Sequence, residues 1–166
     1  MTYRILTVCT GNICRSPMAE YALRQALEQE GLDGSVEVTS VGTTGWEAGN
    51  RIDPRAGALL EHHGIDASAH RARQMTPELL HEADLVLALD HDHVEPVRRA
   101  AGGAQPRMMR EFDPEVGDDT GIRDPWYGGE QDFEIAWQQI TAATPGIISH
   151  VRSELEQDAE PGELSR

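Results

Sequence analysis

The stretch Val8-Cys9-Thr10-Gly11-Asn12-Ile13-Cys14-Arg15-Ser16-Pro17 decides how the rest of the chain is read. Upstream, Tyr3 to Val8 reads as a buried strand. Downstream, Met18 to Glu30 has the spacing of an amphipathic helix, with Ala19, Ala22, Leu23, Ala26 and Leu27 on one face. Ser16 is expected as the helix N-cap and Pro17 as its first residue. A strand feeding a helix through so short a loop points successive backbone N–H groups, and the positive end of the helix dipole, at one spot. That spot suits a phosphate-like anion. A cysteine placed there is expected to be an unusually stable thiolate, and therefore a nucleophile. Gly11 and Asn12 tolerate the positive φ that a tight anion cradle demands. Arg15 adds a guanidinium six positions after Cys9. The duller reading of Cys9 is a buried thiol at a strand end.

Outward from this stretch, strands alternate with helices. Val36 to Val41 alternates apolar and polar residues as a strand does, and Gly42 to Asn50 is a glycine-rich loop carrying Trp46. Asp53-Pro54 opens a helix with Ala56, Leu59, Leu60 and His63 on one face, closed by Gly64, and Thr76-Pro77 starts a shorter one. Leu85 to Leu89 is the continuous apolar run of a central parallel strand; Asp90 follows it, and a helix is expected from His93 to Ala101. Arg107 to Phe112 reads as a weaker strand. Residues 113–129 form a long loop rich in Asp, Gly and Pro, a type that is usually functional inside compact domains. The last helix starts near Glu130, with Phe133, Trp137, Ile140, Ile147, Ile148, Val151 and Leu155 inward, and Pro145-Gly146 is expected to kink or split it.

This order predicts an α/β three-layer sandwich: a central four-stranded parallel sheet flanked by helices, with the Cys9 loop between first strand and first helix. Residues 1–155 are expected to form a single domain and 156–166 an acidic, flexible tail. Ligands of such sheets bind at the carboxyl ends of the strands, where Cys9, Asp90 and the loop after Val41 all arrive.

Composition removes whole classes of chemistry. All 14 basic residues are arginine, so no Walker-A, Schiff-base or pyridoxal lysine exists. A formal net charge of −15 argues against nucleic acid and anionic membranes as partners. It also means that an anionic substrate is attracted only locally, which screening beyond about 10 Å makes workable. No apolar run reaches the roughly 18 residues of a membrane span. A strand starting at Tyr3 leaves no room for a signal peptide, so a cytoplasmic protein is expected. The two cysteines, five positions apart, read as reduced thiols with a redox option rather than a disulfide framework. His62-His63 and His91-Asp92-His93 are expected to be solvated surface, and no metal or cofactor is implied.

Cys9-Thr10-Gly11-Asn12-Ile13-Cys14-Arg15-Ser16-Pro17 followed by Ala19-Glu20 resembles the signature of the low-molecular-weight protein tyrosine phosphatases. The resemblance continues through Asp53-Pro54-Arg55-Ala56, Ala69-His70-Arg71-Ala72-Arg73-Gln74, and Asp124-Pro125-Trp126-Tyr127-Gly128 with Asp132-Phe133-Glu134. It implies a phosphatase whose Cys9 attacks phosphorus to give a cysteinyl-phosphate. Arg15 would clamp two phosphoryl oxygens, and the backbone from Thr10 through Gly11, Asn12, Ile13 and Cys14 would cradle the rest. Asp124 would serve as general acid, then base; from spacing alone it is a turn residue before proline.

The resemblance further implies that Asn12, Ser16, Ser40 and His70 brace the loop and that Ser16 donates to the thiolate. Without it, Ser16 is only an N-cap and His70 only a surface imidazole. Cys14 matches a second cysteine that can pair reversibly with Cys9, and equally reads as a small core side chain. Trp46, Trp126 and Tyr127 would line a deep slot that favours phosphotyrosine over the shorter phosphoserine. Ile13 stands where related phosphoarginine phosphatases tend to carry threonine. The implied partners are phosphotyrosine proteins and inorganic phosphate or other oxyanions, with the chain acting as a monomer. Two other classes fit the loop alone. A thiol-relay arsenate reductase needs cysteines downstream, and none follows Cys14. A phosphate binder without turnover has no use for both Cys9 and Asp124.

Overall fold

The computed structural model describes residues 2–100 and 105–159. β1 (Tyr3–Cys9) leads into α1 (Arg15–Gln29), followed by β2 (Val36–Gly42), α2 (Pro54–His62), α3 (Pro77–Glu82) and β3 (Leu85–Ala88). A single 3-10 turn (His91–His93), α4 (Val94–Ala100), β4 (Arg107–Met108), a second 3-10 turn (Met109–Phe112), a third (Pro125–Tyr127) and α5 (Glu130–Ala159) complete the order. The four strands form one parallel sheet in the order β2-β1-β3-β4, the three-layer α/β architecture expected from the alternation of elements.

Period-two side-chain alternation divides β1 between two cores. Tyr3 and Ile5 join Met18, Leu23, Leu60, Phe133, Ile140 and Ile147 beneath α1, α2 and α5, whereas Leu6 and Val8 join Leu80, Val86 and Val97 beneath α3 and α4. The register pairs Cys9 with Gly42, and the Leu89 N–H donates to the Val8 carbonyl at 3.1 Å. The ends of the three longest strands therefore open onto one edge. Gly42 has to be glycine, because a Cβ there would lie 2.7 Å from the Thr10 carbonyl oxygen.

Several local expectations are corrected. α1 starts at Arg15 with Cys14 as its N-cap residue, and Ser16 does not cap it because its hydroxyl is drawn inward to Cys9 and Asn12. Only Asn12 takes a positive φ in the loop, at 61°; Gly11 does not. The strand expected over Arg107–Phe112 pairs for two residues and then tightens into a 3-10 turn. Pro145 does not split the last helix, which runs unbroken from Glu130 to Ala159 with its inner face buried on α1 and the sheet. Gly146 lets that helix pass the Phe112 carbonyl, which a Cβ would meet at 2.0 Å. The helix also takes in the first four residues of the expected 156–166 tail; residues 160–166 and the Ala101 end of the expected 93–101 helix lie outside the described residues. His93, expected at the surface, is fully buried because Thr10 and Asp90 both offer it hydrogen-bond partners.

Candidate active site

The loop between β1 and α1 is held from outside by its carbonyls. Those of Cys9 and Thr10 accept from the Thr43 and Thr44 amides at 2.8 and 3.1 Å, and that of Ile13 accepts from the Asp53 amide at 2.9 Å. The Asn12 carbonyl accepts from His70 Nε2 at 2.7 Å, and the Cys14 carbonyl from the Met18 amide at 3.1 Å. In a trans peptide unit the following N–H points opposite to the carbonyl. Five outward carbonyls thus turn the amides of Thr10, Gly11, Ile13, Cys14 and Arg15 the other way, toward the space the loop encloses.

Asn12 makes this curvature possible and then anchors it. Its Oδ1 accepts from the Arg73 amide at 3.0 Å, and its Nδ2 donates to Ser16 Oγ at 2.8 Å and Ser40 Oγ at 2.9 Å. Both amide hydrogens are thereby used. Ser40 in turn donates to buried Glu20 Oε1 at 2.6 Å, and Glu20 is ion-paired with Arg24. Ser16 Oγ receives the Asn12 proton, so its own proton can be given to Cys9 Sγ, 3.0 Å away, with the Val41 carbonyl at 3.3 Å as the alternative acceptor. A connected set of hydrogen bonds thus links a buried carboxylate to the nucleophile, with Asn12 Nδ2 donating in both directions.

Arg15 is buried and aimed by residues from distant elements. Its Nη1 donates to the Ile122 carbonyl at 2.8 Å and lies 3.4 Å from Asp90 Oδ2, while its Nη2 lies 3.5 Å from Asp124 Oδ2. Arg110 fixes Ile122's own segment by donating to the Asp119 and Gly121 carbonyls at 3.0 and 2.8 Å. Asp124 also accepts from the Trp126 amide at 3.1 Å, opening the third 3-10 turn. Burial first, then the Asp53, Cys9 and Asp124 charges, push the Cys14 thiol up, so Cys14 stays a neutral thiol. Burial works against ionised Asp53, but the hydrogen bonds from Arg55 outweigh it and hold that carboxyl below its usual range. Arg55 also donates to the Gly128 carbonyl at 3.2 Å and stacks on Phe133. Through Asp53, whose amide holds the Ile13 carbonyl, it therefore ties the Cys9 loop to the Asp124 segment.

These groups surround a cavity of about 180 Å³. Cys9, Thr10, Gly11, Ile13, Cys14 and Arg15 make its floor and lower wall, and Trp46, Glu47, Asp124, Trp126 and Tyr127 its upper wall. Asn12, Ser16, Ser40 and His70 do not line it; they are buried behind the floor. Trp46 and Tyr127 are 78% and 83% exposed, so the aromatic rim is open to a partner. A larger groove of about 710 Å³ runs along α2 and holds none of these residues. Nothing in the sequence marks Glu47, Ile122 or His93 for the site, and it shows Asp90 only as a strand-end acid. Asp90 was findable, as an acid directly after the central apolar strand; the others depend on contacts across the fold.

The profile of the family described as low molecular weight phosphotyrosine protein phosphatase matches residues 4–158. The chain is 44% identical over 161 residues to the low molecular weight protein-tyrosine-phosphatase of Streptomyces coelicolor, covering 94% of this chain and 98% of that protein. It is 44% identical over 150 residues to the low molecular weight protein-tyrosine phosphatase A of Mycobacterium tuberculosis, covering 89% and 91% respectively. The crystal structure of YfkJ from Bacillus subtilis superimposes with a TM-score of 0.86 at 29% identity, over 93% of this chain and 97% of that one.

Proposed function

Since the chain belongs to the low-molecular-weight phosphotyrosine protein phosphatase family, we propose that it hydrolyses phosphotyrosine in proteins, with Cys9 as nucleophile, Arg15 as phosphate clamp and Asp124 as general acid and base. The observation that carries this reading is convergence: all three side chains line one cavity of about 180 Å³. Arg15, held on Nη1 by Ile122 and Asp90, offers its planar fork to two phosphoryl oxygens, and the inward amides of the loop take the equatorial charge.

The Cys9 thiolate attacks phosphorus in line. An S–P bond forms as the P–O bond to tyrosine breaks, and Asp124 gives its proton to the departing phenolate oxygen. Asp124, now a carboxylate, takes a proton from water. The water oxygen attacks phosphorus, the S–P bond breaks, and phosphate leaves with the thiolate restored. Ser16, donating to Cys9 Sγ at 3.0 Å, stabilises the anionic sulfur at both ends of the cycle. The exposed aromatic rim favours a flat phenyl ester long enough to bring phosphorus down to the sulfur.

One chain supplies every one of these groups, which supports action as a monomer. A reactive thiol with a second thiol five positions on supports a reducing, cytoplasmic setting. Para-nitrophenyl phosphate is the test substrate. The protein should turn it over with inorganic phosphate as a competitive inhibitor, and Cys9→Ser should abolish turnover; full activity in that variant would sink the mechanism.

A further inference from the structure

We propose that His93 is a positioning residue of the reaction, its neutral imidazole bridging the Asp90 turn, which holds Arg15, to Thr10 of the phosphate-facing loop. The ring is buried at the end of the first 3-10 turn, and both nitrogens are used. Nδ1 accepts from the Asp90 amide at 3.0 Å, so the ring proton sits on Nε2, which donates to Thr10 Oγ1 at 3.0 Å. Thr10 Oγ1, accepting from His93 on one lone pair, keeps its own proton free for the cavity that Thr10 lines.

A capping role accounts for only half of this geometry. Asp90 and His93 form a reciprocal capping box, the Asp90 carboxylate accepting from the turn and the His93 side chain accepting from the Asp90 amide. A side chain with one acceptor at the reach of Nδ1, such as asparagine, would meet that need. What the imidazole adds is a donor on the far side of a rigid ring, aimed at the residue next to the nucleophile. The Asp90 side chain lies 3.4 Å from Arg15 and the Thr10 carbonyl is held by Thr44, so one ring spans the two walls that must grip a phosphoryl group. Burial and the nearby Arg15 charge push the ring's pKa down to about 3, so both bonds persist at any working pH.

The inference rests on the phosphatase reading, and wild-type turnover of para-nitrophenyl phosphate tests that reading separately. Three variants separate the two arms. Thr10→Val removes the hydroxyl and leaves the ring on its Asp90 arm, with the Nε2 proton unpaired. His93→Asn keeps an acceptor for the Asp90 amide but is too short for Thr10; His93→Gln reaches Thr10 but loses the ring's fixed Nδ1. Thr10→Val and His93→Asn should each lower kcat about tenfold, the rate equivalent of roughly one hydrogen bond, with little change in KM. Their double variant should be no slower than either single one. His93→Gln should instead weaken inhibition by inorganic phosphate, through the loosened Asp90 and Arg15. Wild-type kcat in Thr10→Val, or a double variant that multiplies the single effects, overturns the proposal. So does unchanged kcat and phosphate inhibition in folded His93 variants.

Discussion

The two halves of the proposed active site are built on opposite principles. The Cys9–Ser16 half is buried and over-determined: five carbonyls tied outward, the Asn12 amide hydrogens both used, and Ser40, Glu20 and His70 packed behind. The Asp124–Tyr127 half lies near solvent, held by the Trp126 amide, by Arg55 on the Gly128 carbonyl and by an edge-to-face contact between Trp126 and Tyr127. The difference matches what each half must meet. A phosphoryl group has fixed geometry, and stabilising its developing charge is most effective when the dipoles are already in place. The leaving group arrives attached to varied protein surfaces, and a lightly held rim can adapt to them. Activity should therefore respond to both halves, stability only to the first.

After loss of the nucleophile itself, the largest effect is expected at the clamp. Arg15→Lys keeps the charge but loses the fork, and the buried carbonyl of Ile122 loses a donor set for guanidinium geometry. A fall in kcat of about 10²–10³ should follow, as for loss of a transition-state donor, measured on para-nitrophenyl phosphate. A near-normal rate would mean that the buried half supplies charge alone, not shape. Asp124→Asn comes next. It should cost about 10²-fold in kcat through loss of general acid catalysis, more for phenyl phosphate than for the para-nitro ester, whose leaving group needs less help. Its unfolding midpoint in urea should stay close to wild type, because asparagine can still accept from the Trp126 amide and the Arg15 contact it gives up is a long one, at 3.5 Å. A marked loss of stability would break the contrast between the halves.

Stability should carry the signature of the buried half in its pH dependence. Unfolded, the His93 ring takes up a proton near its ordinary 6.5; folded, burial and Arg15 keep it neutral down to about 3. Only the unfolded state binds this proton between those values. Folding stability is therefore full above about 6.5 and falls as pH drops toward 3, by at most about 1.4 kcal/mol per unit from this group. Asp53, whose carboxyl is held below its ordinary 3.8, does not titrate in the upper part of that window. Urea unfolding at pH 7 and pH 5 should show the loss in wild type and a flatter response in His93→Phe; an equal slope in both would place the proton elsewhere.

What could be read from the sequence follows the same division. The Cys9 loop was legible because strand, cradle and helix are contiguous, and the Leu85 run identified the central strand without help. Asp124 was legible only through resemblance, since before proline it looks like any turn residue. His93 was misread because His91-Asp92-His93 is polar by composition, and its burial depends on Thr10, 83 residues away, meeting Nε2 at 3.0 Å. Ile122 acts through its carbonyl, which no side-chain pattern reveals. Ser16 satisfied the statistics of an N-cap, yet its proton has a stronger claim in Cys9. Pro145 reads as a residue that kinks or splits its helix, yet the buried stripe from Phe133 to Val151 outweighs one missing hydrogen bond and the helix stays continuous.

The smallest effect probes the seam between the halves, where Ile13 contributes an apolar side chain to the cavity wall beside Arg15 and Thr10. Its carbonyl is already taken by the Asp53 amide at 2.9 Å, so a change of side chain leaves the loop's bracing in place. A phenyl ester asks nothing polar of this wall. A phosphorylated guanidine brings N–H groups next to phosphorus, and an isoleucine leaves them desolvated and unpaired. Ile13→Thr keeps the β-branch and supplies a hydroxyl acceptor. The ratio of kcat/KM for phosphoarginine over phosphotyrosine should then rise about three- to tenfold, the worth of one recovered hydrogen bond, while the unfolding midpoint stays close to wild type. An unchanged ratio would move specificity off the floor and onto the exposed rim of Trp46, Trp126 and Tyr127, making the lightly held half the one that chooses the substrate.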